Sequence, residues 1–444
     1  MNEVKVQDFF ADEFPNFAVY NLYRMVASYV DGLKPSQRKI VHTVMKNNIK
    51  TPMKVSQLAA KVSEQTQYLH GETNLQGVIV NMAQNFCGTN NLNVLYPESS
   101  FGNRCFPAAA AARYIFTRKA DQFDHIFNFR DNPLLVQQEF EGDVIEPKFF
   151  VPVIPLILIN GSEGIGSGWS QKILPRNPLQ IKKAIIQYNT TGTLPKRIKP
   201  WFKDFKGTVN HISENSWEVS GILEQKNLST FYISEIPPNI SLDRFTANLM
   251  KLEDSGKIVS YTDYSDPGEN KFEFEIKVKR NFTEKYNTER MMKLFHLTKK
   301  ITENFTCIDE KNEVREFNNE IEILKAFCDI RFEYYGLRKQ LLIDELEEDA
   351  RILENKCAFI EHIIKNKLKI KDLTKAEIID YLSVKSFYEV NGNFNYLISM
   401  PIYNISHDEF EKLKKELINV RERIDRVANT EESDMWSEDI KMVK

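Results

Sequence analysis

Apolar residues recur at helical spacing in three stretches near the start of the chain. From Val55 to Val62, for example, they return at intervals of three and four, which places them on one face of a helix. The predicted helices span residues 34–50, 54–66 and about 73–87, with a break at Thr51-Pro52. Three short helices with basic residues at their edges are typical of a helix-turn-helix or winged-helix unit.

The middle of the chain changes to a period of two. A run of apolar residues over 149–159 predicts a buried strand, and residues 200–280 alternate apolar and polar side chains. In 271–279 the alternation is regular and the polar positions are charged, which is most simply a strand with one solvated face. We therefore expect β structure here and no site in the charge alternation itself.

The last third returns to helical spacing. Residues 321 to about 368 contain no proline and predict a helix roughly 70 Å long at about 1.5 Å per residue. In a second stretch, 410–427, successive apolar residues are 3, 4, 3, 4 and 3 positions apart. A capping box at Ser406 and Glu409 precedes this stretch. With the insert 370–405 between them, these stretches suggest an antiparallel coiled coil with a globular tip. Two helices of an ordinary bundle are the alternative.

Composition and charge narrow the class of protein. A chain of 444 residues is too long for one ordinary core, and no apolar run approaches the roughly 18 residues of a membrane span. The five cysteines lack CxxC spacing, so we expect neither a disulfide framework nor a zinc site, and an intracellular protein. The net charge is −3, yet residues 20–119 hold twelve Lys and Arg against four Asp and Glu, a local footprint for phosphate.

The pair Arg113-Tyr114 is the candidate chemical feature. Alone, such a pair is more often a core tyrosine beside a surface arginine. Here it stands between Asp31-Gly-Leu-Lys-Pro-Ser-Gln-Arg-Lys39 and Asn160-Gly-Ser-Glu-Gly-Ile-Gly-Ser-Gly-Trp169. Together with the basic stretch and the helix pattern, this suggests a tyrosine that attacks a DNA phosphate. Because a free tyrosine has a pKa near ~10, such a site must remove its proton and stabilise the developing charge.

These residues resemble the DNA breakage-reunion core of type IIA DNA topoisomerases of the eukaryotic and large-DNA-virus kind. The matching motifs follow the family's order along almost the whole chain. Its further motifs are Lys54-Val-Ser-Gln-Leu-Ala59, His70-Gly-Glu72, Gln84-Asn-Phe86, Asn90-Asn-Leu-Asn93, Phe101-Gly102, Tyr334-Tyr-Gly-Leu-Arg-Lys339, Phe394-Asn-Tyr-Leu397 and Ser433-Asp-Met-Trp436.

In that family a tyrosine attacks a DNA phosphodiester and forms a reversible 5′-phosphotyrosyl link. The resemblance implies that Tyr114 is the nucleophile and Arg113 its phosphate-stabilising neighbour. It also implies that Arg24 is a second active-site arginine and that His70 donates a hydrogen bond to the scissile phosphate. The family often has two adjacent histidines here, whereas this chain has Leu69-His70.

The resemblance further implies four DNA-binding residues. Arg38, Lys39 and Lys54 match positions near the DNA backbone, although each would otherwise be taken for a surface charge. Ile165 matches a wedge that inserts between base pairs and bends the duplex, at a cost of a few kcal/mol per unstacked step. A nucleotide-binding loop is disfavoured at Ile165, because its glycines lack GxGxxG spacing and a P-loop ending.

The chain departs from the family pattern in two ways. The family usually carries Gly-Gly-Lys-Asp before the Arg-Tyr pair, whereas here Arg104 is followed by Cys105-Phe-Pro107 and five alanines. No acidic metal constellation of a Toprim domain and no ATPase domain is recognisable, so we predict no metal ligands in the chain itself. We expect Mg²⁺ to be bound by an absent Toprim domain, ATP by an absent ATPase domain, and the chain alone to cleave little.

The prediction is a multidomain α+β protein. It comprises a winged-helix domain with the tyrosine (1–140), a mixed α/β tower (141–300), and a coiled coil with a small helical dimerisation tip (301–444). The expected partners are double-stranded DNA and a second copy, since one tyrosine cuts one strand, with no membrane. The expected location is the nucleus, or viral factory and virion if the source is viral. The alternative function is a non-catalytic DNA-bending dimer with a structural tyrosine.

Overall fold

A computed structural model describes residues 6–370 and 373–444, which exclude the start of the predicted 1–140 domain and residues 371–372 of the predicted insert. The helices are Val6–Asp8, Phe9–Glu13, Phe14–Met25, Pro35–Lys46, Val55–Thr66, Glu72–Ala83, Phe123–Ile126, Phe129–Leu134, Leu156–Asn160, Pro178–Thr191, Leu242–Asp254, Phe282–Lys285, Thr288–Leu294, Glu320–Ile364, Lys375–Val384, Asn395–Ile398, Ile402–Asn404, His407–Asn429 and Glu432–Met442. The strands are Met53–Lys54, Leu95–Glu98, Phe116–Lys119, Gln137–Phe140, Asp143–Pro147, Ser162–Ile165, Ser170–Ile173, Thr208–Ser213, Ser216–Ser220, Ile222–Asn227, Thr230–Glu235, Ser260–Asp263, Phe274–Lys277, Thr298–Thr302, Phe305–Ile308 and Val314–Phe317.

The chain forms two compact units. The first contains the described residues up to Arg331 together with Ser437–Lys444, and the second is Phe332–Trp436. The three predicted helices near the start are confirmed within the first unit. Their first residues agree with the prediction to within one residue, while the first and third helices end four residues earlier than predicted. None of the helices in the described ranges combines the length and apolar content that crossing a membrane requires.

A small antiparallel sheet accompanies these three helices. Its central strand is Phe116–Lys119, which pairs with Met53–Lys54 on one side and with Leu95–Glu98 on the other. Val55, directly after the first edge strand, already belongs to the next helix. The sheet therefore brings the start of the second helix beside the residues that precede the central strand.

The predicted β structure of residues 200–280 is confirmed except at helix Leu242–Asp254, which lies within that range. Four antiparallel strands lie in the order Ile222–Asn227, Thr230–Glu235, Phe274–Lys277, Ser260–Asp263. Phe274 and Ile276 of the alternating stretch are fully buried in the core that this sheet forms with helix Leu242–Asp254. The charged positions between them therefore lie on the opposite face of the strand, as predicted.

The prediction of a buried strand over 149–159 was wrong. The segment is buried, but it runs without strand pairing into the short helix Leu156–Asn160. Pro152 and Pro155 lack backbone N–H groups and cannot donate to a sheet ladder, so they disfavour a central strand. An apolar run alone does not distinguish a buried strand from a buried helix.

Two long helices supply most of the second unit, and the first of them belongs to it from Phe332 onward. Glu320–Ile364 has 45 residues, about 67 Å at 1.5 Å per residue, and ends four residues before the predicted end. Within the second unit, Leu346 and Leu353 of this helix share a core with Leu413 and Val420 of helix His407–Asn429. The N-cap half of the predicted capping box is present, since Ser406 Oγ accepts from the Glu409 N–H at 3.2 Å.

Residues between the two long helices form a separate small core together with Phe359 of helix Glu320–Ile364. Its buried members are Phe359, Leu368, Ile378, Leu382, Phe387, Phe394 and Leu397. The mixed α and β composition of the chain is thus confirmed, whereas the division at residues 140 and 300 stays a prediction.

Candidate active site

Tyr114 lies on an exposed turn that leads into the central strand of the small sheet. Its side chain is 63% exposed, while the next residue, Ile115, is fully buried. The Tyr114 N–H donates to the carbonyl of Ala111 at 2.8 Å, which closes the turn. The guanidinium of Arg113 lies 5.0 Å from the centre of the tyrosine ring. The phenol is therefore exposed on a backbone that is held in place, with a cation beside it.

This turn is tied to the start of helix Val55–Thr66. The Val55 N–H donates to the carbonyl of Ile115 at 3.0 Å, and the Ser56 N–H donates to that of Ala112 at 3.3 Å. The first N–H groups of a helix have no partner inside the helix, so carbonyls of the turn satisfy two of them. The tyrosine turn and the helix start are consequently one local structure.

The loop that begins at Arg104 and leads to the tyrosine turn is anchored to residues that lie far away in sequence. Arg104 is buried and pairs with the carboxylate of Glu235 at 2.5 Å. Cys105 is fully buried in the core of the four-stranded sheet, and its carbonyl accepts from the Leu242 N–H at 3.0 Å. The departure from the family pattern is thus an ordered segment, and the five alanines connect its anchor to the tyrosine turn.

Arg24 and His70 come together through residues that the sequence analysis did not single out. The Tyr20 hydroxyl and His70 Nε2 are 2.7 Å apart, and the Arg24 guanidinium lies 5.5 Å from the centre of the Tyr20 ring. The ring of Tyr68 meets the His70 ring edge to face at 5.4 Å. The helical spacing of four between Tyr20 and Arg24 could have signalled this pair.

The surroundings of His70 favour its neutral form. Partial burial and, second, the positive charge of Arg24 lower the pKa of His70 below its usual value. A neutral imidazole has one N–H donor and one acceptor nitrogen. The cluster therefore offers the guanidinium of Arg24 and a hydrogen-bond donor of His70, a pair suited to phosphate oxygens.

Ile165 lies at the tip of a β-hairpin formed by Ser162–Ile165 and Ser170–Ile173, and its side chain is 74% exposed. The hairpin packs closely on the end of the helix that carries Arg24. A Cβ atom added at Gly164 would lie 1.8 Å from the carbonyl oxygen of Met25, so this contact requires glycine. The structure thus presents an apolar tip next to the arginine helix.

Polar contacts fix the hairpin in the same position. The Ser167 N–H donates to the side-chain oxygen of Asn21 at 3.1 Å, and Lys34 Nζ donates to the carbonyl of Glu163 at 2.8 Å. Burial lowers the pKa of Lys34, while the nearby carboxylate of Glu163 acts in the opposite direction. These contacts were not predicted, since they join segments about 130 to 146 residues apart.

The three predicted DNA-binding cations lie in different surroundings. Arg38 is 3% exposed and its Nε donates to the carboxylate of Asp31 at 2.7 Å. Lys39 Nζ is 2.9 Å from the carboxylate of Glu146 and also donates to a backbone carbonyl. Lys54 is half-buried and makes no ion pair within the described parts of the chain. Arg38 and Lys39 are thus engaged in ion pairs inside the fold, whereas Lys54 has no such partner among the described residues, and the DNA-binding roles of all three stay predictions.

Tyr114 and the Arg24–His70 cluster do not meet. The tyrosine turn lies at the start of helix Val55–Thr66, and His70 follows its end. Twelve residues at about 1.5 Å each separate the two ends by roughly 18 Å. Among the described residues no hydrogen bond or ring contact joins Tyr114 to Arg24 or to His70.

A metal site is not found in the described residues. Over 6–370 and 373–444, no three His, Cys, Asp or Glu side chains converge on a point where a metal ion could bind. Magnesium in proteins is held by carboxylates and other oxygen ligands. The described residues thus do not fit an Mg²⁺ site of their own.

Three comparisons identify the relatives of this chain. DNA topoisomerase 2 of Penicillium chrysogenum is 31% identical over 474 residues, which cover 99% of this chain and 30% of that protein. The putative mitochondrial DNA topoisomerase 2 of Caenorhabditis elegans is 32% identical over 462 residues, 99% of this chain and 39% of that protein. The chain thus spans well under half the length of these curated relatives.

A solved structure has the same fold. It is the crystal structure of the DNA-binding, cleavage and re-ligation domain of Plasmodium falciparum topoisomerase II, with a TM-score of 0.86 and 34% identity. The match covers 98% of this chain and 63% of that one. The sequence model of the DNA gyrase/topoisomerase IV family matches residues 24–441. Because that match includes nearly all of the chain, the protein belongs to this type II topoisomerase family.

Proposed function

We propose that this chain is the DNA cleavage and religation core of a type II DNA topoisomerase, an ATP-dependent isomerase. It makes a transient double-strand break so that a second duplex can pass. The observation that carries the proposal is Tyr114, exposed on an anchored turn beside the guanidinium of Arg113, in a chain matched along its length by this family.

The chemistry is a transesterification. The Tyr114 oxygen attacks a backbone phosphorus, a P–O bond to the tyrosine forms, and the P–O bond to the 3′ oxygen breaks. The phenol proton passes to solvent, and the departing 3′ oxygen takes one up. Arg113 and Arg24 stabilise the negative charge that develops on the phosphate, and His70 donates a hydrogen bond to it. Since one phosphoester replaces another, religation reverses the step without an energy source.

Two copies are required for each cut. The separation of about 18 Å between the ends of helix Val55–Thr66 supports a site in which Tyr114 of one copy meets Arg24 and His70 of the other. A two-fold symmetric dimer contains two such shared sites, one for each DNA strand. Cleavage of a duplex then depends on the assembled dimer.

The remaining parts of the chain fit this activity. We propose that residues 1–140 act as a winged-helix domain, 141–300 as a tower, and 301–444 as a coiled coil whose tip forms a dimer contact. Lys54 contacts the DNA backbone, and the tip of Ile165 inserts between base pairs, which bends the duplex. The high exposure of Ile165 supports this role, because an apolar side chain at a hairpin tip contributes little to the core.

Mg²⁺ and ATP are the proposed cofactors of the whole enzyme. Mg²⁺ would supply further charge stabilisation at the phosphate, with its ligands outside the described residues of this chain. ATP would drive strand passage from an ATPase domain. Double-stranded DNA and a second copy of the chain are the proposed partners.

A denaturant-trapped cleavage assay tests the proposal. The full-length protein is incubated with Mg²⁺ and duplex DNA labelled at the 3′ ends, because a 5′-phosphotyrosyl link retains that label on the protein. We expect a covalent adduct that is lost in Tyr114→Phe while DNA binding is retained. An adduct that persists in Tyr114→Phe would refute the assignment. DNA bending without any adduct would favour the non-catalytic alternative.

A mixed dimer tests the shared site. One copy carries Tyr114→Phe and the other carries Arg24→Ala. If each site is shared, both changes fall in one site and the other site is intact. We then expect about half of the wild-type adduct, and the cut DNA should carry single-strand nicks. If each site lay within one copy, both sites would be damaged and the adduct would fall to near background.

A further inference from the structure

Tyr20 contacts both of the side chains that the proposed function places on the scissile phosphate. Its hydroxyl lies 2.7 Å from His70 Nε2, and its ring lies under the guanidinium of Arg24 at 5.5 Å. It comes from helix Phe14–Met25, whereas His70 follows helix Val55–Thr66. Tyr20 therefore links two segments that have no sequence proximity.

The chemistry of the pair assigns the donor. A phenol O–H is a good donor, and the unprotonated nitrogen of a neutral imidazole is a better acceptor than a phenol oxygen. The positive charge of Arg24 favours neutral His70 in the same region. With Nε2 accepting from Tyr20, the imidazole proton lies on Nδ1, and Nδ1–H is the nitrogen that remains free to donate.

We propose that Tyr20 is a positioning residue of the cleavage site, which holds His70 in the Nδ1–H tautomer and orients Arg24 by its ring. The inference rests on the proposed function. Tyr20 does not touch the reacting atoms; it acts through the two groups that do. This proposal extends the role proposed for His70, because it states which nitrogen of His70 faces the phosphate.

A spectroscopic test requires no cleavage activity. Side-chain ¹⁵N shifts of selectively labelled histidine report the tautomer, and the His70 signals are those missing from His70→Gln. We expect wild-type His70 to be in the Nδ1–H form at neutral pH and Tyr20→Phe to shift it toward the Nε2–H form. Tyr68→Phe is the matched control, since it removes a neighbouring hydroxyl that makes no hydrogen bond to His70 among the described residues. A tautomer unchanged by Tyr20→Phe overturns the proposal.

A kinetic test uses the full-length protein. Loss of a neutral hydrogen bond corresponds to a factor of about 5 to 10, so we expect Tyr20→Phe to slow single-turnover cleavage by that factor at unchanged DNA affinity. Tyr20→Leu also removes the ring under Arg24 and should be slower still. Because Tyr20 is 48% exposed, neither change empties a core position. A wild-type cleavage rate in Tyr20→Phe overturns the proposal, whereas an adduct that survives Tyr114→Phe refutes only the proposed nucleophile.

Discussion

Gly164 is the position where one added methyl group should separate the Ile165 hairpin from the arginine helix. In Gly164→Ala the new Cβ would lie 1.8 Å from the carbonyl oxygen of Met25 and 2.8 Å from its carbonyl carbon. Both atoms are backbone at the end of helix Phe14–Met25, so they cannot move aside as a flexible side chain does. To reach 3.0 Å from the oxygen, the hairpin and the helix end must separate by about 1.2 Å or more.

The energetic cost follows from this geometry. Forcing an extra group into a well-packed contact costs about 1–3 kcal/mol. The separation also strains the hydrogen bond from Lys34 to the Glu163 carbonyl and the one from Ser167 to Asn21. We therefore expect Gly164→Ala to lower the free energy of unfolding by about 1–3 kcal/mol and to reduce DNA bending more than DNA binding.

Thermal unfolding and a bending assay with fluorophores at the two ends of a short duplex measure these effects. Gly77→Ala is the matched control, because Gly77 lies inside helix Glu72–Ala83 and a Cβ there meets nothing within 4 Å. The free energy of unfolding of Gly77→Ala should rise by about 0.5–1 kcal/mol, because alanine has the higher helix propensity. This control should bend DNA as the wild type does. A Gly164→Ala protein with wild-type stability and wild-type bending would refute the reasoning.

Three further predictions concern buried groups. Glu303→Ala leaves the fully buried guanidinium of Arg176 without its 2.8 Å carboxylate partner and should destabilise the protein by about 3–5 kcal/mol in urea unfolding, whereas Glu303→Gln should cost less. Burial and two nearby lysines lower the pKa of His42 to about 4. Because unfolded histidine binds a proton below about pH 6.5, stability is lost as the pH falls from there toward 4, and His42→Gln should show a shallower loss in urea titrations. Ellman's reagent should react first with Cys357, the one partly exposed thiol of the five, and with the other four only on unfolding.

The regular elements of this chain were largely predictable because their patterns are local. The helix Val55–Thr66 and the strand around Phe274 follow from spacing over fewer than fifteen residues. The long helix Glu320–Ile364 was equally clear, since its apolar spacing persists for many turns without a proline. The error at 149–159 arose where a buried apolar run has no diagnostic period and two prolines decide the outcome.

The candidate site was predictable only in part. The order of the motifs predicts Tyr114, Arg24, His70 and Ile165 as site residues, but not what surrounds them. The ion pair of Lys39 could not be foreseen, because its carboxylate partner lies 107 residues away in sequence. The contact between Tyr20 and His70 spans 50 residues and likewise depends on the fold. Such long-range pairings are set by tertiary packing, which no local pattern contains.

The short helix Val55–Thr66 explains why an exposed nucleophile need not cut DNA at random. The tyrosine turn satisfies two of the free N–H groups at one end of this helix, and His70, one of the proposed phosphate-binding groups, follows the other end. A rigid helix of about 18 Å keeps the two apart in any single copy, because a helix does not shorten without losing its hydrogen bonds. In the proposed dimer, a second copy brings the complementary helix end to each tyrosine. Cleavage competence is then a property of the interface, so any change that weakens dimer contact should lower cleavage while leaving DNA binding by the separate copies intact.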